Sequence, residues 1–303
     1  MSVFDTSRDD HQTNVQTNVQ ASQQEGVTRL IRALTKALFY VAISAGAIVM
    51  IVPLVYMVST SFMPHAYVLK TPPEFIPSHP TFANYISAWQ ANNFGQAFLN
   101  SIIVAGCATV LNVLLASSLA YAFARYPFPG RSVLFYGMLA TMTVPALVLI
   151  IPQFVLASSL HLTNSRLGLI LIYAAGMGFS VYLLKAYFED MPQDLFDAAA
   201  IDGCGVFRTL WYIALPLARP ALAAATIFAF AGNWDEFTLE LTLNNDQSLY
   251  TLPVAIQQFY SNHGTDWGVV FAATSIAMIP ILVIFLLFQR HFVSGITAGA
   301  LKG

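Results

Sequence analysis

Six times along this chain an apolar run nearly free of charge continues long enough to cross a lipid bilayer: 37–61, 98–124, 132–156, 167–188, 217–239 and 267–289. About 20 apolar residues in helical form span a hydrocarbon core roughly 30 Å thick. Hydrocarbon offers no water to pair with backbone N–H and C=O, so each run must satisfy its own backbone, and an α-helix does so within the segment. The fourth run holds Lys185 in its last turn, where an amine snorkels outward. The fifth holds Arg219 near its start and Asp235 and Glu236 near its end. Charged residues are 9% of the chain and hydrophobic ones 57%, against about 25% charged in soluble domains. These features predict an all-α membrane protein with six transmembrane helices and exclude an ordinary soluble domain.

Six spans place both termini on one side of the membrane, and basic residues choose the side. Arg8, Arg29, Arg32, Lys36, Arg125, Arg131, Lys185, Arg208, Arg219, Arg290 and Lys302 fall on the side of the termini, and only Lys70 and Arg166 on the other. Eleven against two predicts cytoplasmic termini. The first span has 25 uncharged residues behind a long polar tail, which predicts a retained helix and not a cleaved signal. Residues 1–36 read as a cytoplasmic tail, polar and disordered through about residue 28, where Thr-Asn-Val-Gln repeats at 13–16 and 17–20. Residues 37–97 read as the first helix and an outer loop, 98–292 as a five-helix core, and 293–303 as a cytoplasmic tail.

Two outer connections are long. Residues 62–97 carry Pro64, Pro72, Pro73, Pro77 and Pro80, then Phe82, Tyr85 and Trp89, suited to a membrane interface. Residues 242–266 carry the polar tip Asn244, Asn245, Asp246 and Gln247, whose length and polarity point to an outside partner. On the inner side, 125–131 is a short turn set by Pro127, Pro129 and Gly130. The longer connection 189–216 reads as two short helices. Pro192 with Asp194 and Asp197 suits a helix start, Gly203 and Gly205 break the helix, and Pro216 ends the second one. Phe196, Phe207 and Trp211 are expected to anchor this hairpin to the spans behind it.

Within that hairpin, Asp197-Ala198-Ala199-x3-Gly203-x9-Ile213-x-Leu215-Pro216 resembles the E-A-A-x3-G-x9-I-x-L-P loop of ATP-binding-cassette (ABC) importer permeases, with aspartate for the first glutamate. Asn233-Trp234-Asp235-Glu236-Phe237 resembles the W-N-E-F motif of their carbohydrate-importer branch, with Asp235 where asparagine is usual. Residues 288–303 resemble the Q-R-x-x-V-x-G-x-T-x-G-x-x-K-G tail of the same six-span, maltose-importer-like group. The resemblance implies a type I importer permease fold and a non-catalytic subunit that translocates a sugar, as a di- or oligosaccharide. It implies a related permease partner, two ATPase subunits below and an extracytoplasmic binding protein above. Asp197, Ala198, Ala199, Gly203, Ile213, Leu215 and Pro216 are then expected at the ATPase contact, and the tail is expected to reach towards it. Asn244 to Gln247 are expected at the binding protein. Asn112, Asn233, Trp234, Asp235 and Glu236 are expected along the substrate path or its gate.

No lysine follows a glycine, so the chain holds no G-x4-G-K-[ST] phosphate loop. ATP and Mg are accordingly expected on separate ATPase subunits, with no cofactor on this chain. The six histidines are scattered without ligand spacing, and no metal is expected. No basic cluster suggests nucleic acid. Intramembrane acids leave a second reading, a proton-coupled secondary transporter using Asp235, Glu236 or Glu240. Asn100, Asn112, Ser117 and Gln153 either line a path or bond between helices, and the residues alone do not choose.

Overall fold

The computed structural model describes residues 6–64, 74–260 and 265–300, with side chains from Arg32 to Arg290 within them. The chain divides into two units, Met1–Met57 and Val58–Gly303. The first consists mainly of helix α1 (Thr6–Ser61). That helix begins well inside the tail expected to be disordered. The tail has no proline and a single glycine, Gly26, so its residues carry no strong helix breaker. Met1–Asp5 and the end of the C-terminal tail, 301–303, lie outside the described residues, as do 65–73 of the first outer loop, including Lys70, and 261–264 of the second.

Every regular element among the described residues is helical. In the second unit, α2 (Ala83–Gln90) precedes the long α3 (Phe94–Arg125). Then follow α4 (Arg131–Thr141), α5 (Ala146–Ser159), α6 (Arg166–Ala175), α7 (Gly178–Glu189) and α8 (Gln193–Ile201). Next come α9 (Val206–Leu217), α10 (Arg219–Trp234), α11 (Thr238–Leu243), α12 (Leu252–Gln257) and α13 (Trp267–Ala300).

Three segments are continuous, apolar and long enough to cross a membrane: Arg32–Ser61, Phe94–Arg125 and Trp267–Arg290. The other three expected spans fall on bent helix pairs. The third pair bends at the start of the fifth span, because its α9 lies in the connection expected before it. α4 and α5 meet at 105°, α6 and α7 at 43°, and α9 and α10 at 83°, so six spans result when each bent pair counts as one. Hydropathy does not report these breaks; backbone chemistry does. Pro145 lacks an N–H and drives the preceding residue out of helical geometry. Gly176 ends α6. Upstream of Pro216, Leu215 N–H bonds back to Leu210 O within a π-helical stretch, Leu210–Ala214. The fifth span also ends earlier than expected, at Trp234 and not at 239.

α3 organises the core, packing against α6, α7 and α10, while α10 also packs against α13. Its buried face repeats small residues, Ala97, Ser101, Ala105, Ala108, Ala116 and Ala120, which let neighbouring backbones approach closely. Asn112 sits on that face opposite the break between α6 and α7. Its amide donates to Ala174 O (3.2 Å), and its Oδ1 accepts from Ser180 Oγ (2.8 Å). The bridge supplies partners on both sides of the broken helix, as a backbone in hydrocarbon requires. Gly178 is needed for contact at the same place. A Cβ there would lie 2.9 Å from Met142 Cγ, at the break after α4.

Candidate functional site

Three places gather the residues singled out by the sequence. The first is the hairpin formed by α8 and the start of α9. Pro192 occupies the cap position before α8, with Asp194 in the first turn, where the helix dipole favours an acid. At the other end Gly203 has φ +74°. Gly203 N–H donates to Ala200 O (3.1 Å) and Cys204 N–H to Ala199 O (2.9 Å). This pair of bonds is a Schellman close, whose left-handed residue is normally glycine. Space is not the constraint, since a Cβ at Gly203 would meet nothing within 4 Å.

The hairpin presents one face and buries the other. Asp197, Ala198, Ala200 and Gly203 are exposed, while Phe196 and Ala199 (3% exposed) face the body. Phe196 packs with Tyr121 in a cluster that includes Phe188, Leu210 and Ala214. The seven expected contact residues therefore do not share one surface. Ala199 is packing, and Leu215 leans on the cluster. Ile213, Leu215 and Pro216 belong to α9, on the return limb beyond the glycine turn. Of the three aromatics expected to anchor the hairpin, only Phe196 does so. Phe207 is 74% exposed and Trp211 54%. Arg125 was read from sequence only as a basic charge, yet its guanidinium bonds directly to this hairpin.

The second place is a cavity of about 310 Å³ lined in part by Gln153, Tyr173, Asn233, Glu236 and Thr238. Asn233 donates to Thr109 Oγ1 (3.2 Å), and Glu236 Oε1 accepts the Leu239 N–H at the start of α11 (2.8 Å). Tyr173 is 7% exposed, and its hydroxyl has no hydrogen-bond partner among the described residues. A larger, mainly apolar cavity of about 620 Å³ shares Gln153 and reaches the breaks at Met142 and Gly176. Among the described residues, no Lys or Arg lines either cavity. Asn233 and Glu236 are thus brought together, whereas the other expected path residues are not. Trp234 is buried against Phe230 and donates to Ala277 O (3.0 Å). Asp235 is exposed outside the lining, and Asn112 is the buried bridge described above. Gln153, left open from sequence between a path and a bond between helices, lines the cavity, whereas Tyr173 carried no sequence signal and only the fold reveals its place.

The third place is the loop after α11. Asn244 is 1% exposed, which removes it from the expected contact surface. Its Oδ1 accepts Ser165 N–H (3.1 Å), and Asn164 Oδ1 accepts Asn245 N–H (2.7 Å), joining two loops. Asn100 donates to Ser248 O and Tyr250 O (2.9 Å each), and Ser101 Oγ accepts Leu252 N–H (2.8 Å). Glu240, fully buried, accepts from both the backbone N–H and the hydroxyl of Thr251. Only Asn245, Asp246, Gln247 and Ser248 remain exposed at the tip. Bonds from Ser248 hold the Asp246 carboxyl below its usual pKa.

Residues 112–298 match the family described as "binding-protein-dependent transport system inner membrane component". The chain is 37% identical to the diacetylchitobiose uptake system permease protein NgcG of Streptomyces coelicolor, over 84% of this chain and 85% of that one. It is 35% identical to the sulfoquinovosyl glycerol transport system permease protein SmoH of Agrobacterium fabrum, covering 88% and 94%. It is 33% identical to the galactooligosaccharides transport system permease protein GanQ of Bacillus subtilis, covering 91% and 98%. A chain in the crystal structure of a bacterial ABC transporter that imports the acidic polysaccharide alginate has the same fold. The TM-score is 0.75 at 23% identity, covering 86% of this chain and 96% of that one. The chain belongs to the binding-protein-dependent permease family. It is a non-catalytic, multi-pass membrane subunit of an ABC importer. The secondary-transporter reading gives way, and its three acids have other places: Asp235 exposed, Glu236 at the start of α11, and Glu240 bonded to Thr251.

Proposed function

We propose that this permease carries neutral di- or oligosaccharides across the bacterial cytoplasmic membrane, with both termini cytoplasmic. It pairs with a related permease subunit. Two ATPase subunits, which hold ATP and Mg, meet the exposed face of α8. An extracytoplasmic binding protein docks at Asn245–Gln247 and releases the sugar towards Asn233 and Glu236. The placement of eleven of the thirteen basic residues supports the orientation. Relatives named for sugar uptake support the substrate class. A second structural neighbour, an alginate transporter in complex with a pentasaccharide-bound periplasmic protein, supports the binding-protein partner.

The observation that carries the choice of a neutral sugar is the cavity lining. Amide, hydroxyl and carboxylate groups suit sugar hydroxyls, which both donate and accept. With a carboxylate and no cation, an anionic substrate would lie beside a like charge, and that disfavours it. Arg166, at the start of α6, lines neither cavity. The test is uptake into proteoliposomes holding the complete complex and its binding protein. We expect ATP-dependent entry of neutral oligosaccharides and little entry of uronate oligosaccharides. Preference for the uronates would overturn the neutral class. Entry driven by a proton gradient without ATP would overturn the energy source.

A further inference from the structure

At the last residue of α3, one guanidinium reaches three consecutive parts of the chain that leads into the coupling hairpin. Arg125 Nη2 donates to Phe188 O, near the end of α7, and to Met191 O (2.6 Å), in the linker. Nη1 donates to Gln193 Oε1 (2.9 Å), at the first residue of α8. The guanidinium carbon lies 4.0 Å from the centroid of the Phe196 ring, on the buried side of α8. Gln193 continues the chain of bonds, its Nε2 donating to Asp197 Oδ1 (3.0 Å) on the exposed side.

We infer that Arg125 is the positioning residue that fastens the coupling helix to α3, so that displacement of α8 passes directly into the core of the permease. The inference rests on the proposed docking of the ATPase subunits at α8. Covalently, α8 is joined to its neighbours only through Met191–Pro192 on one side and the turn with Gly203 and Gly205 on the other. Neither connection leads to α3, which is 66 positions away from Met191 at Arg125. Yet α3 is the helix on which α6, α7 and α10 pack. Phe196 already packs on Tyr121 of α3, and the Arg125 contacts add a hydrogen-bonded route beside that apolar one.

The chemistry needs arginine. The carbonyls in the last turn of α7 lack intrahelical donors, and a cation is favoured at a helix C-terminus. A planar fork with five donors reaches two carbonyls and an amide while stacking on a ring; an ammonium on a flexible stem does not. Neighbouring charges do not duplicate the link. Arg131 and Lys185 both pair with Glu189, at 3.4 and 2.7 Å, and that carboxylate is on α7 and partly exposed. Such exposed pairs contribute little.

Arg125→Lys separates charge from geometry, because it keeps the positive charge that sets topology. In proteoliposomes of the complete complex, we measure ATPase retention, ATP hydrolysis and sugar uptake. We expect assembly to persist while sugar moved per ATP falls about tenfold, within the usual range for coupling between sites. A merely structural role would lower assembly, hydrolysis and uptake together and leave their ratio unchanged. An unchanged ratio in Arg125→Lys overturns the assignment. Should that variant fail to assemble, Gln193→Ala decides, since it leaves Arg125 and its carbonyl bonds in place. Its ratio is expected to fall severalfold, and a normal ratio overturns the assignment equally. Controls separate this inference from the docking on which it rests. If Gly203→Val and Asp197→Lys also transport normally, docking at α8 is wrong. If they fail while Arg125→Lys couples normally, only the role of Arg125 is wrong.

Discussion

The hairpin at 189–216 leaves its turn bare, whereas the loop at 243–252 is bonded to the helices beneath it. On the hairpin, Asp197, Ala198 and Gly203 stand exposed, and the turn closes through its own backbone. In the loop, Asn244 and Glu240 are buried, and Asn100, Ser101, Asn164 and Thr251 hold the chain in place. Under the proposed docking sites, the contrast matches two mechanical demands. A helix that follows a partner's motion needs a compact local structure and firm links to the core. A docking tip gains from being fixed beforehand, because less freedom is lost on binding.

The largest effect expected from breaking this contrast is at the hairpin. Asp197→Lys reverses a charge on the exposed face, and Gly203→Val forces a β-branched residue into left-handed backbone, costing roughly 1–2 kcal/mol locally. Each is expected to lower uptake at least about tenfold while the spans still insert, because no span packs on this turn. Uptake, membrane yield and ATPase retention are the measurements. Asp197→Glu serves as a control and should remain near wild type, since charge is kept and one methylene added. Full uptake by both Gly203→Val and Asp197→Lys would remove α8 from the coupling path.

A smaller effect, on stability and not on coupling, is expected at the other region. Glu240→Ala leaves two buried donors of Thr251 without an acceptor, a loss of roughly 2–6 kcal/mol at about 1–3 kcal/mol per group. Thermal unfolding of the purified complex should shift down, with the sugar moved per ATP unchanged among molecules that remain folded. An unshifted transition would mean that the loop is held by something other than this carboxylate. The smallest effect is expected at the tip. Replacing Asn245, Asp246 and Gln247 by alanine removes exposed side chains without touching the Asn244 and Glu240 bonds. Stimulation of ATP hydrolysis by loaded binding protein should weaken about twofold, on the scale of rim contacts of a few tenths of a kcal/mol, with unfolding unaltered. Equal stimulation in the variant would return the tip to a simple connection.

Much of the hairpin was legible from its residues, because its structure is local. The Schellman close at Gly203 links residues three and five apart, so a glycine just after an alanine run states the turn directly. Apolar length likewise located the six spans, since crossing a bilayer is a one-dimensional requirement. The bends were not read from the residues: Pro145, at one of them, lay inside a run counted by apolar length alone.

What only the tertiary structure decided is the role of each polar side chain among those spans. Asn112 serves a helix break 62 positions away, and Asn244 holds a loop 79 positions away. From the sequence Asn112 was expected on the same path as Asn233, which does line a cavity, and Asn244 at an exposed docking tip. A polar group in hydrocarbon must find a partner, and sequence states that demand without naming the partner. Arg125 shows the same division. Its charge helped orient the chain from sequence alone, while its bonds to Phe188, Met191 and Gln193 exist only because folding brings α3 to the foot of α8.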